Sequence, residues 1–305
     1  MSTDTMAAPA ARTARAGGRI RRRRSRGEHP PFRLFHLVLY LIMGAGGASA
    51  IAAYLWVINA SLKTNVDFIG TSPFAITDTW SFGNYLEAWQ TAGVATYFGN
   101  SVLVSVCATA IGVGFAVLAA YPLARVRFRG SSIVLAVIVS GLMVPWMVTF
   151  IPLYLTLQDL GLLDSQLGLI LVYATYNLPF NVYVMVGFMK TLPRELEEAA
   201  AVDGAGPASA FLRVIVPLLG PGMASITIIS FLNNWNEFFY ALVFITTPDR
   251  MTLPVGLWQL NQAATYGSQW VTLFAGMMIT VLPVLVVFAF LQKHITRGLT
   301  AGSLK

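Results

Sequence analysis

Asn233, Asn236, Glu237 and Tyr240 interrupt an otherwise apolar stretch that runs from Pro217 to Ile245. They recur at i, i+3, i+4 and i+7, which on one continuous helix puts all four on one face. Two amides, a carboxylate and a phenol form a hydrogen-bonding set that can meet a polar solute or water. Polar groups at membrane depth are costly and face a bundle interior or a wet cavity. Two uses stand open for these four. They can line the path of a solute, or they can join neighbouring helices, each bond being worth about 1 kcal/mol.

The remaining reactive side chains offer no catalytic set. Cys107 is the single cysteine, so no intramolecular disulfide forms, and it reads as a small apolar residue. His29, His36 and His294 have no second ligand at metal spacing, and no metal is expected. The chain has no G-x-x-x-x-G-K-[ST] loop, no H-E-x-x-H and no G-x-S-x-G. It reads as a non-enzyme that binds no cofactor of its own, and any work it does must be powered from outside.

The elements that position these residues follow from composition. Of 305 residues, 56% are hydrophobic and 11% charged, against roughly a quarter charged in soluble domains. Lipid must be the main solvent. A spanning helix needs roughly 20 apolar residues. Six runs qualify: Leu34 to Ile58, Tyr97 to Ala120, Ile133 to Leu157, Leu167 to Met189, Pro217 to Ile245, and Val271 to Leu291. Pro145 and Pro152 interrupt the third, Pro179 the fourth and Pro283 the sixth, as membrane helices tolerate where neighbours satisfy the freed backbone. If the fifth run is straight, Glu237 lies roughly 30 Å beyond Pro217, toward the outer leaflet.

Arginine and lysine set the orientation. Residues 1–31 are expected to be a disordered, basic, cytoplasmic tail, with Arg19 and Arg21 to Arg24 as an anchor and no nucleic-acid role. Arg125, Arg127 and Arg129 follow the second run, and Lys190, Arg194 and Arg213 follow the fourth. The loops between hold mostly Asp and Glu. Both termini are therefore expected inside, with one permease domain over residues 32–305. Ala48-Ser49-Ala50 resembles a cleavage site, but the apolar run continues past it, which favours a retained anchor.

The loop from Thr191 to Pro217 has its own order. Pro193 suits the first turn of a helix, and Glu195 and Glu197 favour its N-terminal dipole. Leu196, Ala199 and Ala200 share a face. Gly204 can end the helix at positive φ. Pro207 can start a second helix, on which Phe211, Val214 and Ile215 make an apolar stripe. The pattern predicts two short helices with small alanines exposed at the bend, a knob suited to a partner's groove.

Glu198-Ala199-Ala200, then Gly204, then Val214-x-Val216-Pro217 resembles the EAA loop of ABC importer permeases, with valines where that pattern has Ile and Leu. Tyr121-Pro-Leu-Ala-Arg-Val-Arg-Phe-Arg-Gly130, Ile151-Pro-Leu-Tyr154, Asn234-Trp-Asn-Glu-Phe238, Thr252-Leu-Pro-Val-Gly256 and Arg297-Gly-Leu-Thr-Ala-Gly302 are similar to that family's carbohydrate branch and its six-span maltose-type permeases. The resemblance implies an all-α polytopic membrane protein of the type I ABC importer permease fold, in a bacterial inner membrane. It implies a second permease as heterodimer partner, two ATP-binding subunits carrying ATP and Mg, and an extracytoplasmic solute-binding protein. It also implies that Glu198, Ala199, Ala200, Asp203, Gly204 and Pro217 couple to the ATPase. A permease for another small polar solute, or a secondary transporter, remains the alternative.

Overall fold

The computed structural model describes residues 32–267 and 269–301. The expected basic tail and the last four residues lie outside them. The chain divides into two compact units, Met1–Ile51 and Ala52–Lys305. The described part of the first unit is helical throughout and belongs to α1, Phe32–Leu62.

The second unit is all-helical among its described residues. Two short helices come first, α2 (Asn65–Gly70) and α3 (Gly83–Gln90). Thr64 caps α2 by accepting the amide of Asp67 at 3.1 Å. Asn84 ties α3 back by donating to the carbonyls of Ser61 and Lys63. Next come α4 (Val94–Arg125), α5 (Ser131–Ser140), α6 (Trp146–Asp159) and α7 (Gln166–Thr191). The loop after α7 carries α8 (Glu195–Val202), α9 (Pro207–Ala210), a π-helical turn at Phe211–Ile215, and α10 (Val216–Leu218). The last elements are α11 (Gly220–Asn236), α12 (Phe239–Phe244), α13 (Leu253–Gly267) and α14 (Trp270–Ala301).

Four stretches are long and apolar enough to cross a membrane unbroken: His36–Leu62, Val94–Arg125, Gln166–Thr191 and Trp270–Phe290. They match the first, second, fourth and sixth expected runs. The third and fifth are not single helices: the third breaks at Pro145, one of the two prolines expected to interrupt it, whereas the expectation of a continuous fifth span is corrected. Ser131–Met143 and Met147–Asp159 meet at 105°, and Pro207–Leu218 and Gly220–Asn236 at 71°. Counting each bent pair as one span gives six.

The breaks have local causes. Val144 precedes Pro145 and is extended, at φ −78 and ψ 117. The proline ring forbids it the helical region. Pro152, by contrast, sits inside α6. At the second break, Gly220-Pro221-Gly222 is a poor helix-propagating sequence, and Pro221 fits the first turn of a new helix.

The core forms around α4 and α7. Ala116, Ala120, Val182, Met185 and Met189 are fully buried between them and the π-helical turn. Gly112 lets the two backbones approach: a β-carbon there would stand 3.1 Å from the carbonyl oxygen of Ala174. Small residues that permit such contact are how helices associate in lipid, where burial of apolar area supplies little drive. Trp235, buried on α11, donates from its indole to the carbonyl of Thr280 at 3.3 Å and so fixes α14.

Candidate functional site

A cleft of ≈ 740 Å³ opens where the first break faces α7 and the end of α11. The turn at Gly141–Met143 and Pro145 form one wall; Tyr176, Asn177 and Asn233 line another. A smaller space of ≈ 360 Å³ is lined by Asn236, Glu237 and Phe239, and shares Tyr176, Asn233 and Tyr240 with the first. All four polar residues expected on the fifth span therefore border these two spaces.

They do not get there on one helical face, and that expectation is corrected. The helix ends at Asn236, and Glu237 is extended, at φ −69 and ψ 132. Its carboxylate explains the restart. Oε1 accepts the amide of Tyr240 at 2.9 Å, and Oε2 the amide of Ala241 at 3.2 Å. A side chain that takes the first free amides of a helix favours a new start over continuation. Oε2 also accepts the Tyr173 hydroxyl at 2.5 Å, which ties the break to α7. Tyr240, on the restarted helix, shares a hydrogen bond with Thr149 of α6 at 3.1 Å and stacks on Phe150. Of the roughly 30 Å expected from Pro217 to Glu237, α11 alone supplies about 24 Å, because the chain bends at Leu219 before α11 begins.

Beside the cleft runs a polar ladder that the periodicity did not single out. Asn233 donates to Asn177 at 3.1 Å, Asn177 to Asn234 at 2.8 Å, and Asn234 to Thr109 at 3.0 Å. Asn181 and Ser230 exchange bonds at 2.9 and 3.2 Å. The ladder joins α4, α7 and α11. Asn233 belongs to both arrangements: it is exposed to the cleft and bonded into the ladder. Asn236 is exposed and donates back to its own helix, at the carbonyl of Leu232. The missed signal was Asn177 with Asn181, two amides four residues apart in an apolar run.

The loop after α7 takes the local form its sequence predicts, with one shift. Pro193 lies just outside α8, because the helix is capped at Arg194. Glu195, Glu197 and Glu198 occupy the first turn. Gly204 stands at φ +81. Its amide bonds to the Ala201 carbonyl at 3.0 Å, and the Ala205 amide to the Ala200 carbonyl at 2.9 Å. This is the paired closure that satisfies the last carbonyls of a helix. Pro207 is the first residue of α9. Phe211 and Ile215 are buried below it. Ala200 is 8% exposed, whereas Glu198, Ala199, Asp203, Gly204 and Pro217 all face outward.

At the far ends of the helices, Asp164 clips two loops together. Its carboxylate accepts the Thr247 hydroxyl at 2.5 Å and the amides of Thr246 and Thr247 at 2.9 Å each. The Arg250 guanidinium lies 3.2 Å away and also donates to the Asp164 carbonyl. The hydrogen bonds from Thr247 chiefly hold its pKa down, to about 2 from an ordinary 3.8.

Broken and unbroken apolar helices around a polar cleft, with an ordered module of small exposed residues at one end, define a helical membrane transport component of the kind found in ABC importers. Residues 112–301 match the model of the binding-protein-dependent transport system inner membrane component, and this chain belongs to that family. It is a multi-pass inner-membrane protein. The diacetylchitobiose uptake system permease NgcG of Streptomyces coelicolor is 34% identical over 273 residues, 90% of each chain. The sulfoquinovosyl glycerol transport system permease SmoH of Agrobacterium fabrum is 34% identical over 256 residues, 82% of this chain and 87% of that one. In fold, the chain is similar to a chain of a bacterial ABC transporter that imports the acidic polysaccharide alginate. The TM-score is 0.75 at 23% identity, over 86% of this chain and 96% of that one.

Proposed function

We propose that this chain is one permease subunit of a binding-protein-dependent ABC importer for a carbohydrate. With a second permease it forms the translocation pathway. Hydrolysis of ATP, with Mg, takes place on two separate ATP-binding subunits, and an extracytoplasmic protein delivers the solute. The chain itself performs no reaction. Both termini and the 191–217 module face the cytoplasm, in keeping with the arginine and lysine pattern.

The observation that carries the reading is the family match over 112–301, which takes in both the module and the cleft. What supports carbohydrate is that two relatives at 34% identity are described as permeases for sugar derivatives. The chemistry of the cleft suits it as well: amides and phenols can exchange hydrogen bonds with hydroxyls, and exposed rings such as Tyr176 can lie against sugar faces.

In mechanism, the ATP-binding subunits receive the exposed face of α8 and the bend, where Glu198, Ala199, Asp203 and Gly204 present a charge and a flat small-residue surface. Their closure moves the module. The cleft, bordered by two helix breaks, opens and closes around Asn233, Asn236, Glu237 and Tyr240. Helix breaks suit such movement because each segment turns without distorting a continuous ladder of backbone bonds.

The test is uptake of labelled di- and trisaccharides by cells with and without this chain, paired with identification of the proteins that co-purify with it. Loss of saccharide uptake, and recovery of a second permease and ATP-binding subunits, is the expected result. Uptake of only a non-carbohydrate solute would overturn the substrate class. Recovery of the chain alone, still active, would favour a secondary transporter.

A further inference from the structure

Two side chains of α4, one turn apart, hold the 191–217 module. Tyr121 packs on Phe211 of the π-helical turn, with ring centroids 4.6 Å apart. Arg125, four residues on and on the same face, has a side chain only 6% exposed. Its Nη2 donates to the carbonyl of Leu192, the residue that closes α7, at 3.1 Å. Its Nε lies 3.4 Å from Oε2 of Glu197, in the first turn of α8. One guanidinium therefore touches the ends of α4 and α7 and the beginning of α8.

The neighbouring acids divide the work. Glu197 turns inward, 20% exposed, while Glu198 is exposed. Arg127 and Arg129, just beyond α4, are exposed too, so Arg125 is the arginine of this stretch that turns inward. Burying two charges takes them from water, and a well-packed apolar pair of equal volume often holds a fold as firmly. What the guanidinium adds is reach: Nη2 hydrogen-bonds the Leu192 carbonyl while Nε stands in ion-pair range of Glu197 without a hydrogen bond to it, so one cation holds both elements. The helices it joins are those that approach closely at Gly112 and Ala174, so displacement at their ends is not absorbed by loose packing.

We propose that Arg125, acting through Glu197 and Leu192, is the positioning residue that makes α8 move as one body with α4 and α7. It thereby converts movement of the docked ATPase into movement of the spans. The inference rests on the reading of 191–217 as the docking element. In this account Glu198 and the bend hold the ATPase subunits, and Arg125 and Glu197 pass the stroke inward. Loss of the buried pair therefore leaves hydrolysis running and disconnects it from transport.

The experiment uses the complete complex in proteoliposomes, with its own second permease, ATP-binding subunits and binding protein. Retention of the ATP-binding subunits, ATP hydrolysed and solute imported are measured together. In Glu197→Ala and Arg125→Gln the subunits stay bound and hydrolysis continues, while solute imported per ATP falls at least about 5-fold. Arg125→Lys keeps the charge without the guanidinium, and should fall between these and the wild type. Should the Arg125 variants not assemble, Glu197→Ala gives the same reading from the other side of the pair. An unchanged solute-to-ATP ratio in assembled Glu197→Ala would overturn the proposal. So would loss of the ATP-binding subunits from that variant, which would make Glu197 a docking residue. The underlying reading fails separately: normal uptake by Glu198→Lys would remove the module from docking whatever Arg125 does.

Discussion

The 191–217 module and the cleft are ordered in opposite ways. In the module, the helix starts and stops are fixed by residues a few positions away: first-turn acids, paired closure at Gly204, and proline at the start of α9. Around the cleft, several polar side chains take partners across the sequence as well as nearby. Asn233 reaches Asn177, Asn234 reaches Thr109, and Tyr173 reaches Glu237. The module is thus a rigid part that a partner can grip, and the cleft a set of helix contacts that a small rotation can rearrange. A coupled transporter needs one of each.

The contrast is tested most severely at Gly204. A β-carbon there meets no atom within 4 Å, so the obstacle is the backbone at φ +81 and not a clash. Gly204→Val adds strain of roughly 1–2 kcal/mol and opens the end of α8. Uptake is expected to fall at least about 10-fold, a shift of 1.4 kcal/mol or more, with membrane insertion unchanged. Gly204→Asn, which tolerates positive φ, should keep most activity. Equal activity of the two would remove the local conformation from the account.

Glu237→Gln comes next. It weakens the acceptor for two backbone amides and the Tyr173 hydroxyl, at about 1.5–3 kcal/mol for bonds to a charged group. Uptake should fall while the quantity of assembled complex holds. If uptake merely follows that quantity, the residue joins helices and nothing more. Asn181→Leu sharpens the distinction from the other side. It breaks the buried exchange with Ser230, which lies off the cleft. It should lower thermal stability by about 1 kcal/mol and leave uptake per assembled complex unchanged.

The smallest effect is expected at Asp164. Its pKa is lower in the folded protein, about 2, than the ordinary 3.8. Its contribution is therefore complete above pH 3.8 and is lost as pH falls toward 2. Acid unfolding of the wild type should steepen in that window, and Asp164→Asn should flatten it. An identical pH dependence in both would show that the clip contributes nothing.

These differences in order explain what could be read in advance. Six apolar runs and the two short helices of the loop were legible, because length, hydropathy and turn chemistry are local properties. Pro145 announced the interruption of the third span. The break at Glu237 did not announce itself: there is no proline there, and the cause is a carboxylate that captures amides three and four residues on. Asn234 escaped because it stands one position, about 100°, from Asn233, off the stripe that periodicity selects. Its use depends on Thr109 and Asn177, which no spacing rule connects to it. Arg125 was legible as a charge that sets orientation, but its inward turn depends on the ends of α7 and α8 meeting.

The central claim is that the exposed bend of the 191–217 module seats the ATP-binding subunits. Site-directed cross-linking tests it most directly. A single cysteine is introduced as Ala199→Cys in a Cys107→Ser background, and the assembled complex is treated with a short cysteine–lysine cross-linker. The account predicts a product with an ATP-binding subunit from Ala199→Cys and none from a matching Thr246→Cys. No such product from Ala199→Cys, in a complex that still imports its solute, would contradict it.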